Sequence, residues 1–255
     1  MIFANLNGYT GKLALQERSV AEAARHYRAD AHHGSFELSG LDIGIQIPLG
    51  LMQARSFLGD YAGADAYMQE VLRLAEAQPQ VGVLAWALFW ASFHCLTERD
   101  FARAGALADR AFALTTEHGF GFWAEASRLS QGAAVVVADH DRAARLIGAG
   151  LAKLESLGSR YYFHPTYLCF HAEALLRLDR VAEARTAIDR ALAMTARTGL
   201  SWWDAELHRI RAAVIRAEGG SKAAICEVLA RAVGIAEQQG SEAFRRRAAA
   251  DMDAA

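Results

Sequence analysis

Apolar residues return along this chain in the three-to-four-residue rhythm of a helix with one buried face. Near the C-terminus Trp203, Leu207, Ile210 and Val214 step by four, three and four, which places them on one stripe. Ala184, Ile188, Ala191 and Thr195 repeat the pattern just upstream, with Leu192 beside them. Each stripe belongs to a segment too short to bury it alone, so each helix needs a neighbour. The pattern also recurs as a whole. Gly59-Asp60-Tyr61-Ala62-Gly63-Ala64 is echoed about forty residues on by Arg99-Asp100-Phe101-Ala102-Arg103-Ala104. It returns at Asp139-His140-Asp141-Arg142-Ala143-Ala144, at Asp179-Arg180-Val181-Ala182-Glu183-Ala184 and, one residue late, at Ser221 to Ile225. Ser19-Val20-Ala21-Glu22-Ala23 is a degenerate first copy.

Other columns keep the same register. Small residues stand at Ser92, Gly132, Ala172 and Ala212, and apolar ones three places later at Cys95, Val135, Leu175 and Ile215. Bulky apolar residues recur at Ile43, Val83, Trp123, Phe163 and Trp203. Glycine follows the second helix of the unit at Gly119, Gly158, Gly199 and Gly240, where a left-handed cap suits it. A fixed period of this size signals stacked supersecondary units. The expected fold is all-α: a right-handed superhelical solenoid of about six helical hairpins, stabilised by nearest-neighbour interfaces.

The units fall near 1–40, 41–80, 81–120, 121–160, 161–200 and 201–242, with a tail at 243–255. First helices are expected at 3–17, 41–57, 82–97, 122–138, 161–178 and 202–217. Second helices are expected at 19–33, 60–77, 100–117, 141–157, 180–197 and 222–239. The segment 41–57 conflicts locally with its place in the repeat: Ile43 to Ile47 alternates like a strand, and Pro48 should kink a helix. Pro165 is easier, because a first turn tolerates a missing donor.

Composition narrows the class. Hydrophobic residues make up 53% of the 255 residues and only three are proline, a balance that favours long helices over disorder or sheet. The net charge is −2, with acids and bases interspersed, so no basic nucleic-acid face is expected. The one dense basic run, Arg245 to Arg247, reads as a solvated tail. Cys95, Cys169 and Cys226 are scattered and odd in number, which fits a reducing cytoplasm. The first residues lack the pattern of a secretory signal. The apolar stretch Val81 to Leu96 falls short of a membrane span and reads as a buried helix.

Little of the chain suggests catalysis. Gly8-Tyr9-Thr10-Gly11-Lys12-Leu13 lacks the spacing and the Ser or Thr of a phosphate loop. His164 and His171 stand seven apart, His32-His33 and His94-Cys95 have no completing ligands, and no Ser–His–acid or Cys–His set has a local signature. No metal or cofactor is expected. Trp123 and Trp203 lie on the core stripe. Trp202, Tyr161 and Tyr162 cannot share that face and are candidates for the edge of a groove. Glu206, His208, Arg209 and Arg211 lie off the main stripe of the last first-helix. They form a candidate recognition patch, with a solvated face or pairing between units as the plainer alternatives.

The Gly-Asp-Tyr-x-x-Ala start, followed by apolar and small residues at helical spacing, resembles the tetratricopeptide repeat, although the unit is longer than the usual one of roughly 34 residues. Ala172 to Arg177, Val181 to Ala184, and Trp202 to Arg211 resemble more narrowly the C-terminal helical tail of large bacterial signalling ATPases. In these proteins a class III nucleotide cyclase or a DNA-binding domain is joined to an ATPase module and a repeat tail. The general repeat covers nearly the whole chain and the narrower signature about a quarter. The resemblance implies a sensory or scaffolding tail without the catalytic, nucleotide-binding or DNA-binding domains. In tetratricopeptide proteins the first helices line the concave surface, so it also implies that the patch around Arg209 faces inward. The expected function is a cytoplasmic, non-catalytic module that binds a protein or peptide partner, such as a cyclase or ATPase signalling module, with no nucleic-acid or membrane contact. The rivals are a small-molecule sensor and an enzyme of unknown type.

Overall fold

The Asp and Gly columns of the forty-residue repeat are helix boundaries. In the computed structural model, which describes residues 2–28, 42–158 and 162–255, Asp60, Asp100 and Asp139 each stand just before the second helix of a unit. Their carboxylates accept from the backbone N–H three residues on, of Gly63, Arg103 and Arg142, at 2.9–3.1 Å. Ser221 caps the last unit in the same way through Ala224. Such caps satisfy donors that the first turn leaves open. The recurrent Asp is therefore a helix start. Gly119, Gly158, Gly199 and Gly240 all have φ near +70°, the left-handed geometry expected for a cap. Arg99 and Asp179 adopt it as well, at φ 69° and 58°, because they close first helices in the column that Gly59 and Gly219 also occupy.

The described residues form thirteen helices and no strand. They are α1 Ile2–Tyr9, α2 Leu13–His26, α3 Ile43–Leu58, α4 Tyr61–Glu76, α5 Val81–Glu98, α6 Phe101–Glu117 and α7 Gly121–Ala134. Then follow α8 His140–Ser156, α9 His164–Arg177, α10 Val181–Thr198, α11 Asp204–Ala217, α12 Lys222–Gln239 and α13 Glu242–Asp253. Each helix packs on its sequence neighbours, as antiparallel hairpins with short loops do. Helix α3 runs through Pro48, so the period prevails over local strand propensity. Helix α5 is long and apolar enough to cross a membrane, but 72% of it is buried inside the fold.

Two expectations fail at the chain ends. The first hairpin breaks at Gly11 (φ +77°) rather than near residue 18. Lys12 N donates to Asn7 O there, so α1 is short and α2 begins at Leu13. Helix α2 ends at His26, with Tyr27 already extended, so the expected 19–33 helix stops short there, and its residues 29–33 lie outside the described residues. The supposed tail is helix α13, and its Phe244 is fully buried.

Helix α13 determines the shape. The first helices α3, α5, α7, α9 and α11 touch one another in series, and α13 touches both α11 and α3. The inner layer is thereby a closed circuit. Ser241 Oγ donates to Phe57 O at 2.6 Å where the circuit joins. The middle is packed with rings. Trp202 stacks on Phe93 (5.4 Å, 12° between planes) and meets Phe57 edge-on at 5.1 Å, while Trp203 meets Phe244 at 5.0 Å. Aromatic pairs of this kind add to the area they bury. The N-terminal hairpin also reaches in, with Ser201 Oγ donating to Thr10 O and Trp202 N to Tyr9 O.

Candidate interaction surface and the buried charge seam

The residues expected to form a recognition patch are mostly interior. Trp202 is 1% exposed in the aromatic centre. It precedes α11, which starts at Asp204, so it does not obey the helical phase that placed it at an edge. Both Trp202 and Trp203 turn inward from the loop. Tyr162 also precedes its helix and lies half-buried against Tyr9, with ring centroids 4.6 Å apart. Tyr161 lies outside the described residues. Arg211 is partly exposed on the outer side of α11, its Nη1 3.9 Å from Asp189 of α10.

Glu206 and Arg209 form a bidentate pair at 3.0–3.1 Å, and Glu206 is only 3% exposed. The cover is α13. Arg247 brings its guanidinium 3.7 Å from Glu206 and donates to Tyr61 Oη and to Thr97 O, while Asp251 accepts from Arg209 at 3.0 Å. Burial disfavours the charge on Glu206, but Arg209 and Arg247 outweigh it and hold the carboxyl below its usual range. Nearby, Arg99 at the end of α5 forks onto Glu173 of α9 at 2.5 and 3.1 Å. These pairs sew α5, α9, α11 and α13 together. The patch is thus a structural seam, and Arg247 is part of it rather than of a solvated tail.

His208 faces α12 and is 7% exposed, with no hydrogen-bond partner on Nδ1. Burial pushes its pKa down to about 4, with Arg231 and Arg211 adding to the effect. It is a neutral packed side chain.

The fold also assembles a set that has no local sequence signal. His94 of α5 contacts Ser56 Oγ of α3 through Nδ1 at 2.6 Å and Asp65 of α4 through Nε2 at 3.0 Å. The geometry suggests a nucleophilic triad, but Ser56 is 2% exposed among Met52, Phe57, Trp90 and Phe93 and also bonds Met52 O at 2.7 Å. No carbonyl could approach it. Donor atoms of Asp65, His94 and Glu98 lie within 4.8 Å of one another, a spacing that a cation could bridge. The cation already there is Arg103, which forks onto Asp65 at 2.5 and 3.0 Å and lies 3.6 Å from Glu98. This cluster ties two successive hairpins. Hydrogen bonds from Arg103 hold the Asp65 carboxyl below its usual range, and burial lowers the pKa of His94 against the pull of Asp65.

A groove of about 360 Å³ lies open between α9, α11 and the C-terminal end of α13. Leu176, Ile210, Ala213 and Ala217 form its floor, and Arg177, Arg216 and Asp251 stand at its rim. Residues 210, 213 and 217 share one face of α11.

No family model matches the chain. An uncharacterized protein of Rhizobium meliloti (strain 1021) is 37% identical over 134 residues, which is 52% of this chain and 12% of that protein. The similarity therefore spans half of this chain and a small part of a much longer one.

Proposed function

We propose that this chain is a non-catalytic protein-binding module, the regulatory or scaffolding tail of a bacterial signalling system linked to a cyclase or ATPase. On this reading its hairpins are units of one tetratricopeptide-like right-handed superhelix, closed at its end by α13. The observation that carries it is the extent of the similarity: the matching stretch makes up 12% of the Rhizobium protein, as one module of a much longer chain would. The recurrent caps at Asp60, Asp100 and Asp139 support the repeat. The aromatic filling of the centre weighs against a sensor that holds a small molecule inside the superhelix. The closed pocket of Ser56 weighs against hydrolysis at that serine.

The test has two arms. Purified chain with magnesium and ATP or GTP should give no turnover above a buffer blank. Mixed with a class III cyclase or signalling-ATPase module from the same genome, the chain should form a stoichiometric complex by light scattering. Reproducible turnover that survives repurification, or no complex at all, overturns the reading.

A further inference from the structure

We infer that the groove between α9, α11 and α13 takes an acidic, amphipathic segment of a partner protein. This rests on the protein-binding reading above and names where, and with what chemistry, binding occurs. Of the carboxylates at the groove, Glu173 is committed to Arg99 and Asp251 to Arg209. Arg209 in turn is committed to Glu206. Two cations are left over. Arg216 is exposed and reaches only the backbone oxygen of Asp251, at 3.3 Å. Arg177 is exposed and has no hydrogen bond or ion pair among the described residues. Two exposed guanidiniums thus flank one groove without counter-charges, on a chain whose net charge is −2. The positive excess is local to this site.

The floor sets the rest of the ligand. Leu176 is half-buried and Ile210 is 3% exposed. Ala213 and Ala217 keep the floor low. An apolar side chain can settle there while carboxylates beside it reach the two arginines, the bidentate geometry that guanidinium favours. A nucleic-acid strand fits less well, since two cations over an aliphatic floor offer neither a phosphate track nor a stacking platform. The fold already displays the arrangement next door. Helix α13 lies against α11 with Phe244 in the core and its Asp251 carboxylate on an arginine of α11. A partner helix in the groove would continue that packing onto α9, as an amphipathic helix in a groove does.

The probe is a fluorescein-labelled synthetic peptide with Leu and Glu at helical spacing, measured by anisotropy against the full chain. A matched peptide with Lys for Glu and a single-stranded oligonucleotide of equal charge serve as comparisons. The Glu peptide should bind, and salt should weaken it. The double variant Arg177→Glu/Arg216→Glu should lose at least about tenfold in affinity while its circular dichroism melt matches the parent, and it should gain affinity for the Lys peptide. Equal binding of both peptides, no effect of the double variant, no binding of the Glu peptide, or displacement of it by the oligonucleotide overturns the assignment. If the cyclase or ATPase complex forms but the double variant leaves it intact, the binding-module reading stands and this groove is not its site. If the Glu peptide binds as described but no such complex forms, the groove stands and the proposed system falls.

Discussion

At the scale of residues, the informative positions are charged groups that the fold has taken out of water. Glu206 faces two guanidiniums inside the seam. Replacing it by Gln keeps the shape but leaves the partly buried Arg209 and Arg247 without that countercharge. Removing one partner of a buried pair costs about 3–5 kcal/mol. Glu206→Gln should therefore lower the urea midpoint strongly, and a midpoint matching the parent would show that the seam is solvated. His208 supplies a pH dependence. Its pKa is about 4 in the fold and about 6.5 in an unfolded chain. Between those values the unfolded chain holds the extra proton, so stability is full above about pH 6.5 and falls as pH drops towards 4. By pH 5 the loss from this group is about 2 kcal/mol, at about 1.36 kcal/mol per unit. His208→Gln should make the decline in urea midpoint between pH 7 and 5 shallower. It should not abolish it, because His94 and His171 are shifted the same way. An unchanged slope would contradict the burial of His208. The charged residues of α11 were visible in the sequence as an off-stripe cluster. The burial of Glu206 and Arg209 was not, because their cover arrives from α13, some forty residues later, and no local pattern announces it.

Among elements, the repeat was legible because it is written in caps and small residues, both local features. Gly132 shows how tight the small-residue column is. A Cβ there would lie 2.7 Å from Ile147 Cγ1 and 3.1 Å from Ile147 N of the facing helix α8. Ala is the better helix former by about 1 kcal/mol, so propensity alone predicts that Gly132→Ala stabilises. The contact predicts the reverse, since overpacking costs about 1–3 kcal/mol. A thermal melt below that of the parent is the expected outcome, and a higher one would mean that α7 and α8 pack less closely than described. The elements that escaped the sequence reading did so for identifiable reasons. The repeat gives Trp202 and Trp203 a helical phase, although they precede α11. The first hairpin was divided by the period, whereas Gly11 divides it. Helix α13 has no partner in the repeat, and its run of arginines masks Phe244 and Arg247, the residues that fix it in place.

At the scale of the whole molecule, the period predicts a superhelical solenoid, and in the structure α13 closes its inner layer onto α3. The accessible surface is 11377 Å², close to the roughly 11,000 Å² of a compact monomer of 27.7 kDa. Closure explains why the expected concave site is largely missing. The aromatic residues that might have lined it pack against each other, and α13 covers the polar ones. The strip over α9 and α11 stays open, and there two arginines lack counter-charges among the described residues. Nearest-neighbour repeats carry no sequence signal for such a long-range contact, because Ser241 on Phe57 O joins segments 184 residues apart. Closure is also the claim on which the buried seam and the remaining groove both depend. Small-angle X-ray scattering of the monomer tests it most directly. A closed chain of 255 residues should give a radius of gyration of about 18 Å and a single symmetric distance distribution. A radius several ångströms larger with a long-tailed distribution would mean that α13 does not close the circuit and that the inner surface is open.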